Sequence, residues 1–321
     1  MKKDLMVLIG LLLVSVCVGA RGQEPQKIEL RMQPGDSATY TLHAETTTEY
    51  AAYRARGTVK RTTVFKSDML FLIRCTELSA DGVIHVEIMY PDFTLETSVT
   101  ERGQTSKIVS DRDGARSYVD GKLQEQATWE NLEKQGRPNL KKLLSSIIKF
   151  TLDSTGKVLD VEAPKELGTS FAGADLKQFF QHQVIFPPVA VAPGAEWNET
   201  RKREVQRVPR PLGGKTMLDE VTYKYERNET AMGRQCARIA MVATTRPSEE
   251  IPDLKEFKQT NEGWSLISLD NGQLILSEMK LSQETAGTPQ GIRHEAKTTG
   301  VVRTSLVQPS SAEKKPAADT K

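Results

Sequence analysis

The residues with chemistry to offer are few and scattered. His43, His85, His182 and His294 stand at separations that match no metal-ligand spacing, and two cysteines beyond the leader, Cys75 and Cys236, cannot complete a zinc set. Cys236 has no neighbouring histidine or helix start to lower its pKa, and neither a Gly-x-Ser-x-Gly elbow nor a phosphate-binding glycine loop occurs. His85 falls on the polar side of an alternating stretch and reads as a solvated strand residue. The expectation is a protein without catalysis, metal or cofactor. Cys75 and Cys236 either pair, stapling two halves across a very long loop, or stay as buried thiols.

Two clusters point to binding. Arg201, Lys202, Arg203, Arg207, Arg210 and Lys215 concentrate positive charge on one predicted hairpin, which suits either an anionic envelope component or a charged edge that blocks sheet aggregation. Alternation along a strand would divide that charge between two faces. Leu140, Leu143, Leu144, Ile147 and Ile148 follow helical spacing over 138–148, and Leu176, Phe179 and Phe180 do so again before Pro187-Pro188. These apolar faces either complete a core or form a lid over a groove for an apolar, lipid-like ligand.

The elements that would position them are mostly strands. Ile84, Val86 and Ile88 alternate with His85 and Glu87, and Asp81-Gly82, Arg102-Gly103, Asp113-Gly114 and Asp120-Gly121 mark turns between strands. Phe150 to Leu159 reads as strand, turn, strand, and Trp264 to Leu276 as a hairpin around Asp270-Asn271-Gly272. Three landmarks recur in order: a Pro-Gly turn leading to an aromatic (Gly35 and Tyr40, Gly194 and Trp197), a hairpin (Gly82, Gly233), and a Leu-Asp turn (Leu152-Asp153, Leu269-Asp270). The order suggests two related strand sets, the first with extra sequence between its second and third landmarks. Turn residues of these types also line up by accident in antiparallel proteins.

Residues 1–22 read as a secretory signal peptide, with Lys2 and Lys3 before an apolar run that ends in small residues. Cys17 would suit a lipid anchor, but Val16 before it is too large, and the run falls just short of a membrane span. Without that leader, Lys+Arg falls from 44 to 41 and Asp+Glu from 42 to 41, so charge gives no case for nucleic acid. The expected divisions are a first strand set with helical insertions over 23–186, a second over 187–307, and a tail over 308–321 too polar to order itself.

The Pro193-Gly194-x-x-Trp197 turn after Pro-Pro, the Leu152-Asp153-x-x-Gly156 and Leu269-Asp270-x-Gly272 hairpins, and the leader resemble a β-rich family of bacterial secreted and envelope proteins. The order of long strands and inserted helices is more remotely similar to the LolA, LolB and LppX lipoprotein carriers. That resemblance implies a half-barrel lidded by helices around an apolar cavity, and transfers no functional residue. The fold expected is mainly β (α+β), a curved antiparallel sheet or half-barrel from two strand sets with two amphipathic helical insertions. The leading reading is a secreted or periplasmic carrier of an apolar ligand. An envelope interaction module without a cavity is the alternative, and an enzyme of another type the third.

Overall fold

The computed structural model describes residues 24–135, 140–164, 170–171, 174–175, 184–205 and 215–307. The first half of the chain supplies β1 (Ser37–Arg54), β2 (Gly57–Leu78), β3 (Ile84–Glu101), β4 (Gln104–Asp111), β5 (Gly114–Val119) and β6 (Lys122–Thr128). Helix α1 (Trp129–Lys134) and the single helical turn α2 (Lys141–Leu144) follow, then β7 (Ile147–Leu152) and β8 (Val158–Glu162). A small ribbon, β9 (Ser170–Phe171) with β10 (Ala174–Asp175), precedes β11 (Glu196–Val205), β12 (Lys215–Ala231), β13 (Arg234–Pro247), β14 (Leu254–Ser268), β15 (Leu274–Gly287) and β16 (Arg293–Leu306).

Fourteen of these strands make one open antiparallel sheet, in the order β11-β12-β13-β14-β15-β16-β1-β2-β3-β4-β5-β6, with β7 and β8 branching from β3. Alternation drives the pairing. In β12, Met217, Asp219, Val221, Tyr223 and Tyr225 are buried while Glu220, Thr222 and Lys224 face water. In β3, Ile84, Val86, Ile88 and Tyr90 do the same. The turns follow local chemistry too: Arg102-Gly103 and Asp120-Gly121 both hold two successive positive φ values, the conformation of a tight two-residue hairpin.

The sheet forks at β3. Its first part, Ile84 to Met89, pairs with β7, and its second, Thr94 to Glu101, pairs with β4. Pro91, which has no N–H to give a ladder, sits between the two parts.

Here the expectation of two amphipathic helical insertions is corrected. Within 138–148 the described helix is only Lys141–Leu144, because the hydroxyls of Ser145 and Ser146 donate to the Lys142 carbonyl at 3.2 and 2.5 Å and end the turn. Ile147 and Ile148 then enter β7, where β-branched residues fit a pleated surface, opposite Met89 and Ile88. The second expected helix, with Leu176, Phe179 and Phe180, lies outside the described residues. A helix that periodicity did not announce, α1, is capped by Thr128 and packs Trp129 and Leu132 into the core.

The first and last strands meet: β16 pairs with β1 from Tyr40–Leu306 to Tyr53–Arg293. Both Pro-Gly turns make matching bonds. Gly35 N–H donates to Cys75 O at 3.0 Å and Cys75 N–H to Asp36 O at 2.8 Å; Gly194 N–H donates to Tyr225 O at 2.6 Å and Tyr225 N–H to Ala195 O at 2.9 Å. Each thereby anchors the start of one strand to its neighbour.

An extended strap before β1 ties distant parts together. Leu30 N–H donates to Ser154 O at 2.8 Å, in the turn between β7 and β8, and Arg31 N–H to Asn271 O at 2.9 Å, in the turn between β14 and β15. Along the sheet β15 and β7 are five strand positions apart, roughly 24 Å if the sheet were flat. Two adjacent residues reach both turns, so those turns are neighbours in space.

Candidate ligand-binding cavity

Cross-strand register decides what the strands β14, β15, β16, β1 and β2 present on one face. One row runs Ser265, Ser277, Thr304, Leu42, Met69, and the next Gly263, Met279, Val302, Ala44, Ser67. Toward the other strand ends come Asn261, Leu281, Gly300, Thr46 and Phe65. Ser265, Ser277 and Thr304 stand side by side on this face and Ala44 beside Ser67, and these short side chains do not fill the space above it.

The result is a cavity of about 550 Å³. Tyr40, Leu42, Phe71 and Ile73 line it from β1 and β2, and Ser265, Ile267, Ser277 and Met279 from β14 and β15. Leu30 and Met32 of the strap, with Leu152, Val184 and Phe186, cover it. The Tyr40 ring stacks on Phe71 at 5.2 Å, and burial pushes its hydroxyl pKa well above the ordinary tyrosine range. Asn261 contributes a buried Oδ1 with no hydrogen-bond partner among the described residues. A mostly apolar lining with a few polar groups, at a volume within the roughly 300–1,000 Å³ of ligand sites, suits a small amphiphile better than a fully polar solute.

The residues singled out from the sequence lie elsewhere. Leu140 and Leu144 pack half-buried against the main core, Ile148 is inside it, Ile147 is exposed, and none of the four lines the cavity. The face they were expected to share does not exist, because the chain changes from helix to strand at Ser145-Ser146. The Leu143 side chain, with Leu176, Phe179 and Phe180, lies outside the described residues. What sequence reasoning missed is the strand wall itself: serines at 265 and 277 carry no signal until the register places them opposite each other.

The basic cluster is divided. Arg201 stands across from Asp219 in register and donates to the Tyr223 hydroxyl, whereas Lys202, the next residue, is exposed on the other side. Lys215 pairs with Glu249 at 3.2 Å. The Arg203 side chain, Arg207 and Arg210 are outside the described residues.

Cys75 and Cys236 are free and buried, each sulfur near its own local carbonyl, Glu77 O at 3.6 Å and Arg234 O at 3.5 Å. Of the two arrangements open from the sequence, buried thiols is the one seen. Burial raises both thiol pKa values. Neither should react with a water-soluble disulfide reagent in the native protein, and both should react in denaturant; rapid native labelling would contradict this packing.

The histidines are dispersed. His43 Nδ1 lies 2.6 Å from Asp68 Oδ1 on an exposed face, His85 Nε2 is 3.2 Å from Ser79 Oγ, and His294 meets the Tyr50 hydroxyl; His182 is outside the described residues. Among the described residues no three His, Cys, Asp or Glu side chains gather in a way that could hold a metal ion. No described helix is long and apolar enough to cross a membrane.

No family model and no curated protein matches the chain. Solved structures that resemble it include lipovitellin, in work on its lipid–protein interactions (TM-score 0.43, 11% identity over 90% of this chain). The chain spans only 26% of that lipovitellin chain. Two others are the translocator domain of the autotransporter NalP from Neisseria meningitidis (TM-score 0.20, 8% identity, 83% of this chain and 88% of that one) and DynF from the dynemicin biosynthesis pathway of Micromonospora chersina (TM-score 0.18, 8% identity, 90% and 89%).

Proposed function

We propose that this is a secreted or periplasmic envelope protein without catalysis, whose sheet works as a half-barrel holding an apolar, lipid-like ligand. The observation that carries the reading is the cavity of about 550 Å³ between the β14–β2 wall and the strap. An interaction module would fill that face with its own side chains. This one instead sets Ser265, Ser277 and Thr304 side by side beneath Leu30, Met32 and Phe186, leaving apolar walls around open space. Open apolar volume inside a folded protein is a standing cost unless something occupies it.

The test is binding. Protein purified gently and examined by native mass spectrometry should carry lipid-mass adducts, and delipidated protein should bind a fluorescent long-chain fatty acid. Ser277→Phe adds an aromatic ring to the cavity lining, where the wild-type hydroxymethyl leaves room, and should reduce that binding at least about tenfold with an unchanged far-UV spectrum. Delipidated wild type that binds no lipid probe would end the proposal, as would unaltered binding by the filled variant.

A further inference from the structure

The cavity is not uniformly apolar. Arg234, at the start of β13, is half-buried and lines it, and its guanidinium donates to Gln273 Oε1 at 2.6 Å. The Gln273 amide in turn lies beside the Tyr40 hydroxyl, so an arginine, an amide and a phenol stand together in the lining of the space. No carboxylate of the described residues lies within 4 Å of the Arg234 guanidinium, whereas Arg74, Arg116, Arg238 and Arg303 each have one. Two other charged residues of the lining are engaged, Arg31 with Glu29 at 2.8 Å and the Asp36 carboxylate with Gln33 N–H at 2.7 Å, and the Asp270 carboxylate stands in the neighbourhood outside ion-pair distance of Arg234.

A guanidinium presents five donors, and Gln273 takes one of them. Partial burial without a counter-charge is costly, and a bidentate carboxylate is the partner that guanidinium geometry fits best. From Tyr40 the apolar lining continues through Phe71, stacked on its ring, and includes Leu42, Ile73 and Met279. We infer that the ligand is an acidic single-chain amphiphile, its carboxylate held by Arg234 with Gln273 and Tyr40 fixing the guanidinium, and its hydrocarbon chain laid along the strand wall. The inference rests on the ligand-binding reading above and adds the head group and its orientation.

The experiment compares a long-chain fatty acid with the alcohol of equal chain length, using the delipidated full chain and displacement of a fluorescent probe. The wild type should prefer the acid roughly tenfold or more, since a charge-assisted bond is about twice as strong as a neutral one. Arg234→Gln should remove that preference while keeping the alcohol affinity, which also shows that the variant is folded, and Arg234→Lys should restore part of it. If acid and alcohol bind the wild type equally, or Arg234→Gln keeps the preference, the head-group assignment falls and the carrier reading stands. If neither compound binds the wild type, both fall together.

Discussion

Ile148→Asp is expected to abolish the folded state, whereas Ile147→Asp leaves it nearly intact. Ile148 is 0% exposed, faces Ile88 across the ladder and belongs to the main core; Ile147, one residue earlier, is 41% exposed opposite Met89. An unpaired carboxylate at Ile148 would have no partner in that core and would cost several kcal/mol even after taking up a proton, against a total stability of about 5–15 kcal/mol. At Ile147 the same carboxylate reaches water, and the expected loss is below roughly 1 kcal/mol. Urea unfolding followed by circular dichroism separates the two. A helix across this stretch would set both side chains on one face and give similar losses, so equal effects would contradict β7.

That pair also shows why local periodicity is ambiguous in this segment. Positions 140, 143, 144, 147 and 148 satisfy the helical period, but Ile148, Phe150 and Leu152 satisfy the strand period equally well. The choice is made by β3, whose first part, Ile84 to Met89, has a free ladder edge that only β7 covers. No window of local sequence contains that fact. The hairpins were legible for the opposite reason: Arg102-Gly103 and Asp120-Gly121 must adopt left-handed backbone, and residue type alone reports it. The alternation of Ile84, Val86 and Ile88 was equally plain, and all three are buried.

The cavity was not legible. It arises because Ser265, Ser277 and Thr304, from three different strands, meet across two ladders, and a register shift between Leu266 and Ile267 keeps Ser265 opposite Ser277 while Ile267 moves to Leu274. In sequence each is an ordinary polar strand residue. Arg234 was equally silent, being one arginine among many until Gln273 and Tyr40 are found beside it. Periodicity displays apolar faces on helices, whereas this molecule leaves its open space above short strand side chains such as Ser265, Ser277 and Thr304.

Gly272→Val should damage binding as well as stability. Gly272 holds φ +69, and an added Cβ would fall 2.2 Å from the Glu29 carbonyl oxygen and 2.8 Å from Leu30 N, both backbone atoms of the strap. Neither can move without releasing Arg31 N–H from Asn271 O and Leu30 N–H from Ser154 O, the two bonds that bring distant turns of the sheet together. Lifting the strap also exposes Ile28, worth about 1.5–3 kcal/mol, on top of about 1–2 kcal/mol for a side chain in left-handed backbone. Gly35→Val supplies the control: its φ is +96 but nothing lies within 4 Å of the added atom, so only the backbone cost applies. The expected difference in urea-unfolding free energy between the two variants, on the order of 2–3 kcal/mol, isolates the strap from the glycine. Because Leu30 and Met32 cover the cavity, Gly272→Val should weaken fatty-acid binding and open Lys27 and Arg31 to trypsin, while Gly35→Val does neither. Equal losses in the two variants would mean that the strap lies on the sheet without holding it closed, and that the cavity owes its cover to Leu152, Val184 and Phe186.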